Sequence, residues 1–316
     1  MMRPLLAVVL LLAGASCAHR APPPHPESAV TLKVAHVVNL GFPRMGSEQL
    51  GAMLEAARRG VKENFGVDVA FTAPEEQPLA GLFDRYTPGE KNRWNDLSYD
   101  FKGGKGDRAR LVRGHAAALR SDEASLADLI AYAQPHLLAP VTERTYDGLA
   151  EAVTATLLAR LERIKSEKLL DSSPNNEVLY WAFIGKLSFP YDVVVTNQLI
   201  ASAEYLGSSV HTAIRGGITA GITTGNPSAP RGMTAIVSVY PLIGEDAVTR
   251  SLRGDESYSE AESARLAGLL LVHELGHLHF DYGHPYGRKA CVMNPPEMLR
   301  FREWAERLSP KDCRPQ

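Results

Sequence analysis

The chain has 316 residues, enough for one large domain or two small ones with a sizeable core. Its composition is that of an ordinary globular protein, 45% hydrophobic and 22% charged. A net charge of −2 leaves no basic excess, so nucleic acid is not an expected partner.

The first 17 residues read as an export signal rather than part of a fold. Arg3 gives a short positive region, and Leu5 to Leu12 an apolar run too short to span a bilayer as a mature helix. The small residues Ala13-Gly14-Ala15-Ser16 then lead to Cys17. A cysteine in that place resembles a bacterial lipoprotein signal, in which it is lipidated and becomes the new N-terminus; Gly14 departs from the usual leucine. Plain cleavage near Ser16 or Cys17 is the other reading. Pro22, Pro23, Pro24 and Pro26 make residues 18–30 a semi-rigid tether. The expectation is an exported protein of the bacterial cell envelope, held to the membrane by an N-terminal lipid on Cys17.

Thr31 to Leu40 is rich in valine and predicts a strand. Ser47 to Phe65 has helical spacing, with Leu50, Met53, Leu54, Ala57 and Val61 on one side and Gly66 to end it. Val67 to Thr72 predicts a second strand, and residues 73–107, rich in Pro, Gly and charge, a loop. Helical stretches follow near 121–134, 143–169 and 175–187, so that 107–188 reads as a helical insertion between strands. Asp192 to Thr196 predicts a strand, as do Ala213 to Thr224, glycine-rich and suited to a sheet edge, and Thr234 to Tyr240. The last long helix begins at Ser259, with Glu262 three residues on as a capping box, and runs to about His279.

That helix carries the chemistry. It contains His273-Glu274-Leu275-Gly276-His277, an HExxH pattern, after a run with almost no polar residues from Leu266 to Val272. Two imidazoles four residues apart share one helix face and can bind a single zinc ion, with the glutamate turned toward the open side of the metal. An unpaired buried glutamate beside two histidines would otherwise be costly, which argues against an ordinary surface helix. A catalytic zinc takes a third protein ligand. His284 faces the right way, but on a straight helix it would stand about 10 Å farther along, so the chain must leave the helix between 279 and 283. Asp281 and Gly283 supply turn chemistry there. His36, His115, His136 and His211 are isolated in sequence and read as structural or exposed, and His279 falls on the far side of the helix from His277.

The pattern resembles the metzincin clan of zinc metallopeptidases, whose extended motif is HExxHxxGxxH followed by a methionine turn. Here Phe280 occupies the family's glycine position and His284 comes one residue late. Cys291-Val292-Met293 is similar to the methionine turn, and its Cys-x-Met spelling most resembles archaemetzincins. Those hold a structural zinc with four cysteines. Pro285 follows His284 here and only Cys313 remains downstream, so that second zinc site is absent. In an oxidising exported setting Cys291 and Cys313 can form a disulfide instead. The match covers only about residues 265–293; beyond it the likeness is one of element order.

The resemblance implies an α+β metallopeptidase-like domain over 31–316, with a mixed twisted sheet, an active-site helix and a short C-terminal subdomain. It implies hydrolysis of a peptide or protein substrate with one catalytic zinc on His273, His277 and His284. Glu274 would be the general base toward the attacking water, and Met293 a packing residue beneath the metal. Three alternatives stay open at this point: a third ligand from Glu297 or Glu303, a third ligand from Asp281, and an inactive zinc-binding envelope lipoprotein.

Overall fold

The computed structural model describes residues 30–170 and 173–313. The segment read as an export signal, Cys17 with its expected lipid, and all of the expected tether but Val30 lie outside the described residues. Among those described, no helix is long and apolar enough to cross a membrane.

The valine-rich start is two strands, β1 (Val30–Leu32) and β2 (Val34–Val38), not one. The break is at Lys33, whose N–H donates to Asp192 Oδ2 at 2.9 Å and whose carbonyl accepts from the Asp192 and Val193 amides. That redirects the chain. β1 pairs with β3 (Val69–Phe71) in a small parallel sheet, while β2 enters the main one. Between them α1 (Ser47–Phe65) ends as expected at Gly66, which is left-handed at φ 75°.

Residues 73–107 are not a plain loop. They hold β4 (Glu75–Pro78) and α2 (Pro88–Leu97). β4 is polar and ends in proline, a composition that only an edge strand tolerates. The signal for α2 was present: Thr87 Oγ1 accepts from the Glu90 amide, and the Glu90 carboxylate accepts from the Thr87 amide at 3.0 Å, with Pro88 in the first turn.

The helical block begins where expected, but with a helix its periodicity did not suggest. α3 (Arg108–Ser121) precedes α4 (Leu126–Ala133), α5 (Tyr146–Ser166) and the short α6 (Val178–Ala182), each of the first three capped by a side chain at Asp107, Ser125 or Thr145. β5 (Val193–Thr196) follows. The segment expected as strand over 213–224 is first a helix, α7 (Val210–Ile214), and only then β6 (Gly221–Gly225). Gly216 and Gly217, at φ 74° and 77°, turn the chain between the two, which the run of glycines concealed. β7 (Met233–Ser238), α8 (Tyr240–Ile243), α9 (Ala247–Leu252), α10 (Glu260–Phe280) and α11 (Phe301–Arg307) complete the order.

The main sheet runs β4-β2-β5-β7-β6, with β6 antiparallel to β7 and all other pairs parallel. The fold is therefore mixed α+β. Both faces are covered, which explains why β5 is valine at three successive positions. Val193 and Val195 face a large core containing α1, α3, α5 and α10, whereas Val194 faces a second core with Trp94, Trp181 and Phe83. β6 lies at the edge, as expected.

α10 is the element that positions the site, and it lies against α1, β6 and β7. The approach to α1 is unusually close. A Cβ at Gly268 would fall 2.7 Å from Met53 O and from Ala56 Cβ, and one at Gly60 2.6 Å from Val272 Cγ2. At the N-terminus Ser259 Oγ accepts from the Glu262 amide at 3.2 Å, but only half of the expected capping box forms. The Glu262 carboxylate instead takes a two-pronged contact from Arg302, Nε at 2.6 Å and Nη2 at 2.8 Å, tying α10 to α11.

Candidate metal centre

The two helical imidazoles leave α10 on one face, as their spacing requires. α10 stops at Phe280, and Asp281 adopts a left-handed φ of 55° as its cap. The turn is thus made at Asp281 rather than at Gly283, which has no positive φ and where an added Cβ would meet Glu123 Oε2 at 2.8 Å. The reversal brings His284 back onto the helix. Its Nε2 lies 3.2 Å from His273 Nε2 and 3.1 Å from His277 Nε2, and the last two are 3.1 Å apart.

Protons decide what this triangle means. His273 Nδ1 is 2.8 Å from the Val292 carbonyl, and His277 Nδ1 hydrogen-bonds the Tyr282 carbonyl. A carbonyl only accepts, so each Nδ1 carries the proton, and each Nε2 presents a lone pair. The lone pairs of His273 and His277, 3.1 Å apart, repel unless a proton on His284 Nε2 or a cation stands between them. A cation at their centre removes the repulsion. The observed edges suit one, because a tetrahedral zinc with Zn–N of about 2.0–2.1 Å sets its nitrogens about 3.3 Å apart. Burial pushes the His273 imidazole down to about 3 and lowers His277, and it holds His284 well below the ordinary histidine range, with His277 adding to the effect. All three are neutral, the state in which histidine binds metal. These residues can therefore hold a metal ion, and among the described residues they are the only histidine, cysteine or carboxylate group so gathered.

Glu274 is 5% exposed, one residue along from His273. Burial pushes its carboxyl up to about 8, against the opposing hydrogen bond of the Thr223 hydroxyl, which reaches Oε2 at 2.9 Å. Thr223 and Gly221 face α10 from β6, two apart on one side of the strand. Gly221 makes the room: a Cβ there would lie 2.8 Å from Glu274 Cγ.

Under the helix, Met293 packs its sulfur into the space left by the missing side chain of Gly276. The turn Cys291–Asn294, closed by the Asn294 amide on the Cys291 carbonyl at 2.9 Å, delivers the Val292 carbonyl to His273. The expected bridge is present: Cys291 and Cys313 are bonded, with Cα atoms 4.7 Å apart. The Val292 amide donates to Cys313 Sγ at 2.8 Å, so the disulfide braces the residue that orients His273. Replacing both cysteines by serine is expected to lower unfolding free energy by about 3 kcal/mol, the chain-entropy value for a loop of this length. Urea denaturation of the two proteins side by side measures it.

The competing third ligands are elsewhere engaged. Glu297 pairs with Lys289 at 3.0 Å and His136 at 3.7 Å, and Glu303 with Arg307 at 3.0 Å. Asp281 is exposed and outside the histidine group. Of the histidines read as isolated, His36 and His115 are indeed buried in the fold, and His136 meets Glu297. His211 is different: its ring stands edge-on to His284 at 4.7 Å, with Nδ1 2.9 Å from the Tyr286 hydroxyl. His279 is half-buried and does not join the three. Sequence reasoning missed His211, Thr223, Gly221 and Tyr286. Only Tyr286 had a signal, its place two residues after His284.

Protein-family models, curated proteins and solved structures were each compared with the chain, and none matches it.

Proposed function

We propose that the protein is a zinc metallopeptidase of the cell envelope, metzincin-like in its site. One observation carries the reading: three neutral imidazoles converge on a single point, and a buried carboxylate stands next to them on the same helix. Zinc when bound lowers the pKa of water and polarises a carbonyl. The chain's own residues supply the rest. A cation on the neighbouring imidazoles favours the ionised form of Glu274 against its burial, and the carboxylate then takes a proton from the attacking water and passes it to the leaving amine. Thr223 holds that carboxylate in place through its hydroxyl. The Val292 and Tyr282 carbonyls keep His273 and His277 in the tautomer that leaves Nε2 free. An extended peptide laid along the edge strand β6 by strand addition passes beside Glu274, because Gly221 and Thr223 belong to that strand. The disulfide accords with an exported protein in an oxidising compartment, and a lipid on Cys17 would place it at a membrane surface.

The test is hydrolysis of an unfolded protein substrate by the zinc-loaded enzyme. Activity should vanish with a chelator and return with zinc. A protein that binds zinc tightly and cleaves nothing would instead be a binding module.

A further inference from the structure

The three histidines are not held alike. His273 and His277 stand on a helix, and each has its Nδ1 tied to a carbonyl. His284 stands in the irregular stretch between α10 and α11, where no regular element fixes its direction. Ordering such a stretch costs conformational entropy at every residue, so something else must hold it if the centre is to be preformed.

What holds it is two residues away. Tyr286 is 2% exposed. Its ring meets Tyr132 of α4 edge-to-face at 4.7 Å, and its hydroxyl lies 2.9 Å from His211 Nδ1 on α7. The same His211 ring stands edge-to-face on His284 at 4.7 Å, and its Nε2 is 3.2 Å from Ser209 Oγ. Either neutral tautomer of His211 satisfies both contacts, with the Tyr286 hydroxyl and Ser209 hydroxyl taking the complementary roles. In one of them His211 donates from Nε2 to Ser209 and accepts at Nδ1 from the Tyr286 hydroxyl; in the other the roles reverse. The loop is thus pinned at Tyr286 while the pinning residue backs the imidazole of His284.

We infer that Tyr286 and His211 form a positioning pair for the third ligand, through which the α4–α7 region sets the direction of His284 toward the ion. The inference rests on the reading of the three histidines as a metal centre. The pair acts through His284 and touches no substrate. It also gives the helical block a task, since one anchor of the loop, Tyr132 of α4, comes from that block, and the other, His211, from α7 beyond it.

The experiment is competitive zinc titration of the full chain, together with the absorption spectrum of the cobalt-substituted protein. Tyr286→Phe keeps the ring on Tyr132 and removes only the hydroxyl. It is expected to weaken zinc binding about tenfold, the low end for loss of a partner behind a metal ligand, and to alter the cobalt spectrum. His211→Ala should weaken binding at least as much. The double variant should be no worse than the weaker-binding single, because the two act as one unit. The melting temperature of metal-free Tyr286→Phe should stay near that of the parent, which separates positioning from general packing. Should His211→Ala fail to fold, Tyr286→Phe alone decides. Affinity and spectrum unchanged in Tyr286→Phe would overturn the inference and leave Tyr286 a packing residue. A parent protein that takes up no zinc, or one that keeps it after His277→Ala, would instead refute the metal centre itself.

Discussion

Glu274→Gln is expected to leave zinc bound and to slow peptide hydrolysis by a factor on the order of 10²–10⁴, the usual range for a lost general base. Glutamine matches glutamate in size and can still accept from the Thr223 hydroxyl, now 2.9 Å from Oε2. The buried site is therefore kept, and only proton transfer is lost. Zinc content measured on the same sample gives the control: a full complement of metal with kcat/KM reduced by that factor is the expected pair of readings. Undiminished hydrolysis in the variant would remove Glu274 from the role of base, and with it the peptidase mechanism.

The second large effect concerns the ligands. His273→Ala or His277→Ala should abolish zinc binding, since two remaining imidazoles do not hold a catalytic zinc. His284→Ala should weaken binding by more than the roughly 10–100-fold that loss of an outer partner costs. Asp281→Ala should leave affinity nearly intact, because its contribution is the left-handed turn at φ 55° that ends α10. Zinc retained by His284→Ala and lost by Asp281→Ala would reverse the assignment of the third ligand.

Legibility in the sequence followed the strength of local patterns. α1 and α10 were readable because long apolar stripes and their terminal residues agree, and β5 because three successive valines suit a strand buried on both faces. β4 was not readable: Glu75-Glu76-Gln77-Pro78 has neither alternation nor apolar content, and it is a strand only because β2 offers it a partner. α2 had a complete capping box at Thr87 and Glu90 that was outweighed by the surrounding polar residues. α7 was hidden because glycines at 216 and 217 serve a turn, not a strand. The site divides the same way. His273, Glu274 and His277 follow from helical spacing alone, and His284 from its nearness in the chain. His211 and Thr223 belong to the site only through tertiary packing, and nothing in their own neighbourhoods announces it.

The contact between α1 and α10 reaches further than its own residues. Gly268 lets α10 close onto the Met53 carbonyl and Ala56 of α1, and Gly60 of α1 makes room for Val272 of α10, 2.7 Å and 2.6 Å being all the space a methyl group would find. A helix that slips by one residue to relieve such a clash rotates by about 100°, which would swing both of its imidazoles away from His284. In a collection of inactive variants, some would therefore fall on α1, an element that bears no ligand and no base. Their defect would be one of alignment: an intact set of chemical groups that no longer points at a common centre.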